Sequence, residues 1–285
     1  MNLKRSKLYA ESWNVAFRMK QTGSILDDKA TPFIIVPNNN NSWAADPMVF
    51  KHNGEIYIFA ELYDYKLRRG TIGFTKYNGS SFNNWTPIIT EPFHMSYPFV
   101  FEHNGEIYML PETSGANSLI LYKATEFPYK WQKEKTIIDN VKWVDTTLFK
   151  QNDSYIGYTE SVGEIEDFFI KLNNDLEITD IKKFDFDINK NRCGGRMFKL
   201  GSDLVRVCQD CTEKYGGALF FRKHDIDTLD EKEIIRIIPS ELSFDKTPYL
   251  DGMHTYTSLD NIEVIDIKTR RLNFINLFYR LISKF

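Results

Sequence analysis

The chain has 285 residues, a net charge of −3 and 26% charged side chains, so it lacks the overall positive field of nucleic-acid-binding proteins. Aromatic residues make up 15% of the chain; this favours strands, because aromatic rings pack well on pleated surfaces. No apolar run reaches the roughly 20 residues that a membrane-spanning helix needs.

The first segment, MNLKRSKLYAESWN, lacks the apolar core of a secretory signal. The chain has three cysteines, an odd number, which is typical of a reducing compartment. We therefore expect a cytoplasmic protein. The next segment, WNVAFRMK at 13–20, alternates like a strand but has no hairpin partner nearby.

Most of the chain is a repeat. Residues 46–61 read DPMVFKHNGEIYIFAE and residues 97–112 read YPFVFEHNGEIYMLPE. A third copy lies at 145–160 and a fainter fourth at 194–209, and spacing places a degenerate fifth near 252–267. The four clear copies begin 48 to 51 positions apart. Such a period is typical of repeat architectures.

Each copy predicts a β-hairpin followed by further strands. A short apolar strand meets a turn such as Asn-Gly, the strongest short hairpin signal, and a second strand follows. Small antiparallel sheets of about 50 residues pack radially as propeller blades. We therefore predict an all-β, five-bladed β-propeller over residues 1–268, in which residues 13–20 pair with the last blade and close the ring.

The repeat brings carboxylates together at the axis, because equivalent positions of the blades surround one central channel. The first positions of the copies are Asp46, Tyr97, Asp145 and Gly194. The last positions are Glu61, Glu112, Glu160 and Gln209. Paired carboxylates in one cavity serve glycosyl chemistry. This pattern predicts Asp46, Asp145, Glu112 and Glu160 as catalytic candidates; alternatively, the Glu side chains accept structural hydrogen bonds between blades.

Two sets of motifs resemble known families. WAADPMVF and VDTTLF resemble the five-bladed propeller of family 43 glycoside hydrolases. SWAADPMVF, HMSYPFVFEHNGEIYMLPET, GGRMFKL, RVCQDCTEKYGG and DGMHTYTSLDNIEVIDIK, in this order over about 43–268, resemble the N-terminal propeller domain of glucosamine inositolphosphorylceramide transferases. Similar propellers occur in bacterial surface-glycan loci. In the plant enzymes the recognised transferase domain is a separate one, which this sequence does not match.

The hydrolase resemblance implies roles for two residues. Asp46 matches the general base and Asp145 the residue that tunes its pKa. The family's general acid, a Glu at the start of the fourth blade, falls on Gly194, Gly195 and Arg196. Because an alkoxide leaves poorly without protonation, this departure favours a phosphate-linked sugar donor over simple hydrolysis.

A second set of residues is predicted to bind substrate. It comprises Glu61, His94, Tyr97, Arg196, Arg206, Gln209, Asp210, Tyr215 and His254. Within it, Arg196 and His254 are expected to bind the donor phosphate, with Arg206 and Lys214 as further cations. The alternatives are an inter-blade salt bridge for Arg196 and a buried structural role for His254. The sequence identifies no cofactor, although some related hydrolases hold a divalent cation on the axis.

The last segment, residues 269–285, is predicted to form a basic amphipathic helix. Within 270–285, RRLNFINLFYRLISKF places apolar residues at helical spacing beside four basic ones. Such a helix lies on an anionic membrane surface, here the inner face, or packs under the propeller or against a second subunit.

Three functions remain open at this point. The first is a glycosyltransferase of bacterial surface-polysaccharide biosynthesis, which takes a sugar donor and a glycan or lipid-linked acceptor. The second is a glycoside hydrolase with Glu112 or Glu160 as a displaced acid. The third is a glycan-binding propeller without catalysis, which carboxylates held by Arg side chains would favour.

Overall fold

The computed structural model describes residues 10–20, 24–82, 84–163, 166–184, 191–246 and 250–271. These residues form five four-stranded antiparallel sheets, each the blade of a propeller, which confirms the predicted all-β fold. Among the described residues, no helix is long and apolar enough to cross a membrane.

The blades follow one another along the chain. Two strands precede the first complete blade: β1 (Ala10–Met19) and β2 (Ile34–Ile35). Blade one contains β3 (Ser42–His52), β4 (Glu55–Asp64), β5 (Arg69–Lys76) and β6 (Thr86–Ile89). Blade two contains β7 (Ser96–His103), β8 (Glu106–Glu112), β9 (Ser118–Glu126) and β10 (Lys130–Asp139).

The remaining strands complete the ring. Blade three contains β11 (Trp143–Gln151), β12 (Ser154–Ser161), β13 (Glu166–Leu172) and β14 (Ile178–Phe184). Blade four contains β15 (Phe198–Leu200), β16 (Asp203–Asp210), β17 (Ala218–His224) and β18 (Glu231–Ile237). Blade five joins β19 (Tyr256–Leu259) and β20 (Ile262–Arg271) to β1 and β2. Two 3-10 turns cover Ser114–Ala116 and Pro239–Glu241.

The two ends of the described chain meet in blade five. β1 lies between β20 and β2, and its pairing with β20 runs from Ala10 opposite Arg271 to Met19 opposite Ile262. The backbone of residues 269–271 therefore continues strand β20, where the sequence predicted the start of a helix. The remainder of that predicted helix, 272–285, lies outside the described residues.

Tight turns at the hairpins follow from the Asn-Gly pairs. Asn53 and Gly54 have φ angles of 51° and 81°, and Asn104 and Gly105 have φ angles of 50° and 79°. Positive φ at both central residues is the requirement of a type I′ turn, whose twist matches that of the flanking strands.

Hydrophobic side chains fill the spaces between neighbouring blades. Phe59 of blade one packs with Val100 of blade two in one buried cluster, and Val207 of blade four shares another with Ile265 of blade five. Each blade therefore buries both faces, and this holds the inner strands around the axis.

A β-bulge interrupts the first strand of blades one to three at the same place. The register shifts between Ala45 and Met48 in β3, and equivalent shifts occur in β7 and β11. The bulged residues Asp46, Tyr97 and Asp145 have φ angles of 52°, 46° and 50°. This left-handed conformation costs a non-glycine residue about 1–3 kcal/mol, and bulges of this kind re-aim side chains near active sites.

Candidate functional site

A cavity of about 370 Å³ lies at the bulged end of the inner strands. Four of the five blades, with the segment that leads into blade four, supply its walls. The lining residues are Glu11, Trp13, Trp43, Asp46, Glu61, Tyr63, His94, Ser96, Glu112, Arg192, Tyr215 and His254.

Asp46 and His254 are held by a buried carboxylate, Asp266. Oδ1 of Asp266 accepts hydrogen bonds from the backbone N–H groups of His254 and Thr255, both at 2.9 Å. Oδ2 of Asp266 accepts the N–H of Asp46 at 3.1 Å and lies 2.6 Å from Nδ1 of His254. Nδ1 of His254 is also 3.6 Å from Oδ1 of Asp46. The three side chains therefore form one electrostatic unit at the cavity wall.

Burial and charge set the protonation of this unit. Desolvation raises the pKa of Asp46 to about 7, although His254 opposes the shift. Burial alone would lower the pKa of His254, but the carboxylates of Asp266 and Asp46 outweigh it and raise that pKa. The imidazole also stacks on Trp13, with ring centroids 4.0 Å apart. The unit can therefore exchange a proton near neutral pH.

The same three residues could be considered as ligands for a divalent cation, because one ligand atom from each lies within 4.8 Å of the others. However, Nδ1 of His254 already faces Asp266, and Oδ1 of Asp46 accepts the hydroxyl of Thr255 at 3.1 Å. These atoms satisfy one another. The arrangement is that of a hydrogen-bonded network, so we route no chemical step through a metal.

Arg192 bridges two of the predicted catalytic carboxylates. Its Nε donates to Oδ2 of Asp145 at 2.6 Å, and its NH2 nitrogen lies 3.7 Å from Oε2 of Glu112. Gln209 donates to the same Oδ2 of Asp145 at 2.7 Å. The hydroxyl groups of Ser96 and Ser114 also donate hydrogen bonds to Glu112. Both carboxylates are therefore held in fixed positions.

Glu61 and Glu160 occupy the position of Glu112 in blades one and three. Glu61 lines the cavity and its Oε1 is buried without a hydrogen-bond partner among the described residues. Glu160 is buried, is not among the lining residues, and has its pKa raised to about 7 by desolvation.

The structure thus brings six of the predicted site residues to the cavity wall. They are Asp46, Glu61, His94, Glu112, Tyr215 and His254. Asp145 and Gln209 stand behind Arg192 and reach the cavity through it.

Other predicted substrate ligands are engaged elsewhere. Tyr97 is fully buried, and its hydroxyl contacts Oγ1 of Thr147 at 2.7 Å and receives the N–H of Gly195 at 2.7 Å. Asp210 accepts Nε of Arg236 at 2.7 Å and borders a separate surface depression. Both therefore have structural contacts away from the cavity.

Arg196, predicted with His254 to bind the donor phosphate, and the further cations Arg206 and Lys214 do not line the cavity. Arg196 donates to the carbonyl of Val100 and lies over the Phe99 ring, and burial lowers its pKa to about 10. Arg206 is buried and forms a two-point ion pair with Glu231, at 2.5 and 2.9 Å. Lys214 pairs with Asp251 at 3.1 Å. The sequence pattern had placed these cations at the site, but the side chains face other partners.

Sequence reasoning missed half of the lining residues. These are Glu11, Trp13, Trp43, Tyr63, Ser96 and Arg192. Trp43 and Tyr63 flank the first repeat and are cross-strand partners with stacked rings, 4.8 Å between centroids. Arg192 stands two positions before the fourth copy. Their positions in the sequence could have identified them, because each of these residues either flanks a repeat or, like Trp13, belongs to the strand that closes the ring.

The composition of the cavity suits a hydroxylated ring. Carboxylates and an imidazole offer several convergent hydrogen-bonding groups, and the rings of Trp13, Trp43, Tyr63 and Tyr215 offer apolar surface. A cavity with a few placed polar groups among aromatic walls is typical of small-ligand sites. A pyranose has both kinds of surface.

Comparisons with known proteins agree on the fold and the family. Residues 33–255 match the family model described as glucosamine inositolphosphorylceramide transferase 1, N-terminal. The chain is 34% identical over 212 residues to glucosamine inositolphosphorylceramide transferase 1 of Arabidopsis thaliana, which covers 68% of this chain and 26% of that protein. The protein of the same name from Oryza sativa subsp. indica is 28% identical over 210 residues, with 68% and 27% covered. The chain thus spans about a quarter of the length of these curated relatives.

Solved structures show the same fold at low sequence identity. The α-L-arabinofuranosidase PaAbf62A from Podospora anserina superposes with a TM-score of 0.62 at 8% identity, over 85% of this chain and 96% of that one. The RS223 β-xylosidase gives 0.61 at 10% identity, over 80% and 93%. The family-model match covers well over half of the sequence. The chain therefore belongs to the family described as glucosamine inositolphosphorylceramide transferase 1, N-terminal, and is a carbohydrate-related five-bladed propeller.

Proposed function

We propose that this propeller binds a sugar in its axial cavity and acts in glycosyl transfer, in the biosynthesis of a bacterial surface polysaccharide. The observation that carries the proposal is the Asp46–His254–Asp266 unit at the cavity wall. A general base works best when its pKa lies near the working pH, and the pKa of Asp46 is raised to about 7. Asp46 is thus suited to take the proton of an acceptor hydroxyl.

His254 and Asp266 support this role. Asp266 fixes the orientation of the imidazole through the 2.6 Å contact with Nδ1. His254 in turn lies beside Asp46 and stabilises its charged form, as its opposing effect on the pKa of Asp46 indicates. The stacking of Trp13 on His254 keeps the ring in the wall of the cavity.

The donor in this proposal is a phosphate-linked sugar. Among the described residues, Arg192 and Lys268 are cations near the cavity, and Lys268 pairs at 3.2 Å with Glu11, which also lines it. Arg192 lines the cavity, and Lys268 lies over the rings of Trp13 and Tyr215 at about 5.4 and 5.5 Å. Both stand on the side of blades four and five, so we place the phosphate there.

The acceptor is a glycan or a lipid-linked sugar, and the protein works in the cytoplasm, at the inner membrane face. This part of the proposal rests on the basic composition of residues 270–285 and on the names of the relatives, which are transferases of a glycolipid.

A panel of nucleotide sugars and glycosides tests the proposal, with wild type compared to Asp46→Asn. Asp260→Asn is the matched control, because Asp260 is an exposed residue that pairs with Lys51. We expect donor consumption by wild type and by the control, and a loss of about 100-fold or more in Asp46→Asn. Release of free sugar from glycosides without any donor turnover would overturn glycosyl transfer.

A second function, glycan binding without catalysis, is favoured by one observation. Arg192 forms ion pairs with Asp145 and Glu112. These carboxylates are therefore positioned to accept hydrogen bonds from a ligand and not to act as free acids or bases. In that case, wild type and Asp46→Asn bind sugar in calorimetry, and neither consumes a donor.

A further inference from the structure

Glu61 differs from its equivalents in the neighbouring blades. Glu112, at the same position of blade two, accepts hydrogen bonds from Ser96 at 3.0 Å and Ser114 at 2.7 Å. Gln209, at the same position of blade four, donates to Asp145 and to the carbonyl of Cys193. Glu61 is 5% exposed and lines the cavity, yet its Oε1 has no partner among the described residues. A buried polar atom without a partner is unusual and calls for an explanation.

The neighbouring histidine does not neutralise Glu61. The backbone N–H of Gly70 donates to Nδ1 of His94 at 2.9 Å, so the proton of a neutral ring lies on Nε2. Nε2 is 3.7 Å from Oε1 of Glu61, which is beyond hydrogen-bonding distance. Burial lowers the pKa of His94, which keeps the ring neutral at pH 7. His94 thus forms a fixed, uncharged wall beside the carboxyl group.

The other groups that face Glu61 favour its protonated form. Burial raises the pKa of Glu61 well above its ordinary value. Carboxylates on four other strands act in the same direction: Asp46 on β3, Glu112 on β8, Asp145 on β11 and Asp266 on β20. The cations near the cavity are paired with other carboxylates: Arg192 with Asp145, His254 with Asp266 and Lys268 with Glu11. Glu61 is therefore protonated, and no described residue forms a hydrogen bond with its Oε1.

We propose that Glu61 is the proton donor of the cavity, which hydrogen-bonds to the oxygen that leaves the anomeric carbon of the bound sugar and protonates it. The oxygen of the acceptor hydroxyl forms the new bond to the anomeric carbon and gives its proton to Asp46. The bond between the anomeric carbon and the leaving oxygen breaks, and the leaving oxygen keeps the electron pair and takes the proton from Glu61. Asp46 then releases its proton to solvent, and the carboxylate left on Glu61 takes one back from solvent. This inference rests on the proposed function, because it assumes that a sugar occupies the cavity.

Glu61 takes the role of a general acid that blade four does not supply. Where the resemblance to glycoside hydrolases implies an acid, the chain has Gly194, Gly195 and Arg196, and Arg196 is turned to Val100 and Phe99. An acid from blade one faces the same cavity as Asp46. Arg192 lines the cavity but is paired with Asp145, so a proton from Glu61 adds to the neutralisation of charge on the leaving oxygen.

The test compares wild type with Glu61→Gln, which keeps a hydrogen-bond donor of similar shape but cannot give up a proton. Glu91→Gln is the control, because Glu91 accepts the Tyr122 hydroxyl at 3.0 Å and is not a lining residue of the cavity. The probes are sugars of one configuration linked to methanol, to 4-nitrophenol, to 2,4-dinitrophenol and to nucleoside diphosphate. Turnover and sugar binding are measured from pH 5 to pH 9.

We expect Glu61→Gln to lose about 100-fold or more in turnover where the leaving oxygen is basic, and little with 2,4-dinitrophenol, which leaves without a proton. Wild-type turnover should fall as pH rises through the pKa of Glu61, and the variant should lack this limb. If no turnover occurs, sugar binding should weaken at high pH in wild type and stay level in the variant. Equal losses for all leaving groups, or binding that is the same in both proteins at every pH, would overturn the inference alone. A wild-type protein that neither binds nor converts any of these sugars would overturn the proposed function itself.

Discussion

Nδ1 of His254 lies 2.6 Å from Oδ2 of Asp266, and both side chains are buried. Asp266 also accepts three backbone N–H groups, from Asp46, His254 and Thr255. This residue of blade five therefore fixes the first strand of blade one and the loop before β19 at the same time. It joins the last blade to the first at the point where the cavity begins.

Replacing Asp266 should damage both stability and the charge of His254. In Asp266→Asn, a buried histidine loses its counter-ion and some backbone donors lose an acceptor, which costs about 3–5 kcal/mol for a buried pair. The pKa of His254 should fall, because its main opposing charge is gone. Urea unfolding and histidine NMR titration measure the two effects. In Asp260→Asn, the control, the exposed pair with Lys51 should cost about 1 kcal/mol or less. Equal unfolding midpoints in the two variants would contradict the role given to Asp266.

The buried carboxyl groups of Asp46 and Glu160 should make the protein less stable as pH rises from about 4.5 to about 7. The pKa values of Asp46 and Glu160 are raised to about 7 by burial, from 3.8 and 4.5. Between about pH 4.5 and pH 7 the folded state holds protons that the unfolded state has released, so the free energy of unfolding falls as pH rises in this window. For one such carboxyl group, the free energy of unfolding falls by about 1.4 kcal/mol for each pH unit inside the window.

Glu231 acts in the opposite direction at low pH. Burial opposes its ionisation, but the Arg206 guanidinium and other donors lower its pKa, so its stabilising effect is lost as pH falls below about 4.5. We therefore expect a maximum of thermal stability at mildly acidic pH. Glu160→Gln should flatten the fall between pH 5 and pH 8, as measured by calorimetry. A wild-type melting temperature that rises from pH 5 to pH 8 would show that these carboxyl groups are ionised in the folded protein.

The parts of the site that the sequence predicts are those fixed by the repeat itself. Asp46, Glu61 and Glu112 occupy repeated positions next to hairpins whose Asn-Gly turns set the register, and all three line the cavity. A preserved period brings equivalent residues to one axis, so no knowledge of distant contacts is needed.

The cations could not be predicted in the same way, because their direction depends on partners far along the chain. Arg206 on β16 pairs with Glu231 on β18 of the same blade. Arg196 follows Gly195, whose φ of 131° is accessible to glycine. Arg192 lies outside the repeat and reaches Asp145, 47 positions away. Trp13 depends on the pairing of the two chain ends.

Gly70 should tolerate no side chain. A Cβ at this position would lie 2.3 Å from the carbonyl oxygen of Met95 and 2.5 Å from Oε1 of Glu61. Gly70→Ala must therefore move backbone and displace Glu61, which we expect to cost about 1–3 kcal/mol. Gly115→Ala is the control, because its nearest neighbour is Cβ of Phe93 at 3.2 Å. Chemical unfolding of both variants measures the difference. A Gly70→Ala protein as stable as wild type would mean that β5 and the loop before β7 are not packed as described.

Trp43 should contribute to sugar binding without supporting the core. Its ring and that of Tyr63 are parallel, 5° apart in plane and both partly exposed at the cavity. Aromatic surface of this kind packs against the apolar C–H face of a sugar ring, as large rigid side chains do in binding sites. We expect Trp43→Ala to weaken sugar affinity about tenfold, or ~1.4 kcal/mol, and Trp43→Phe to recover part of it. Tyr63→Phe is the matched control, since it keeps the ring and removes only the hydroxyl. Calorimetric titration with the sugar panel measures these affinities, and thermal melting checks that the variants remain folded. Unchanged affinity in a folded Trp43→Ala protein would show that the bound sugar does not pack on this ring.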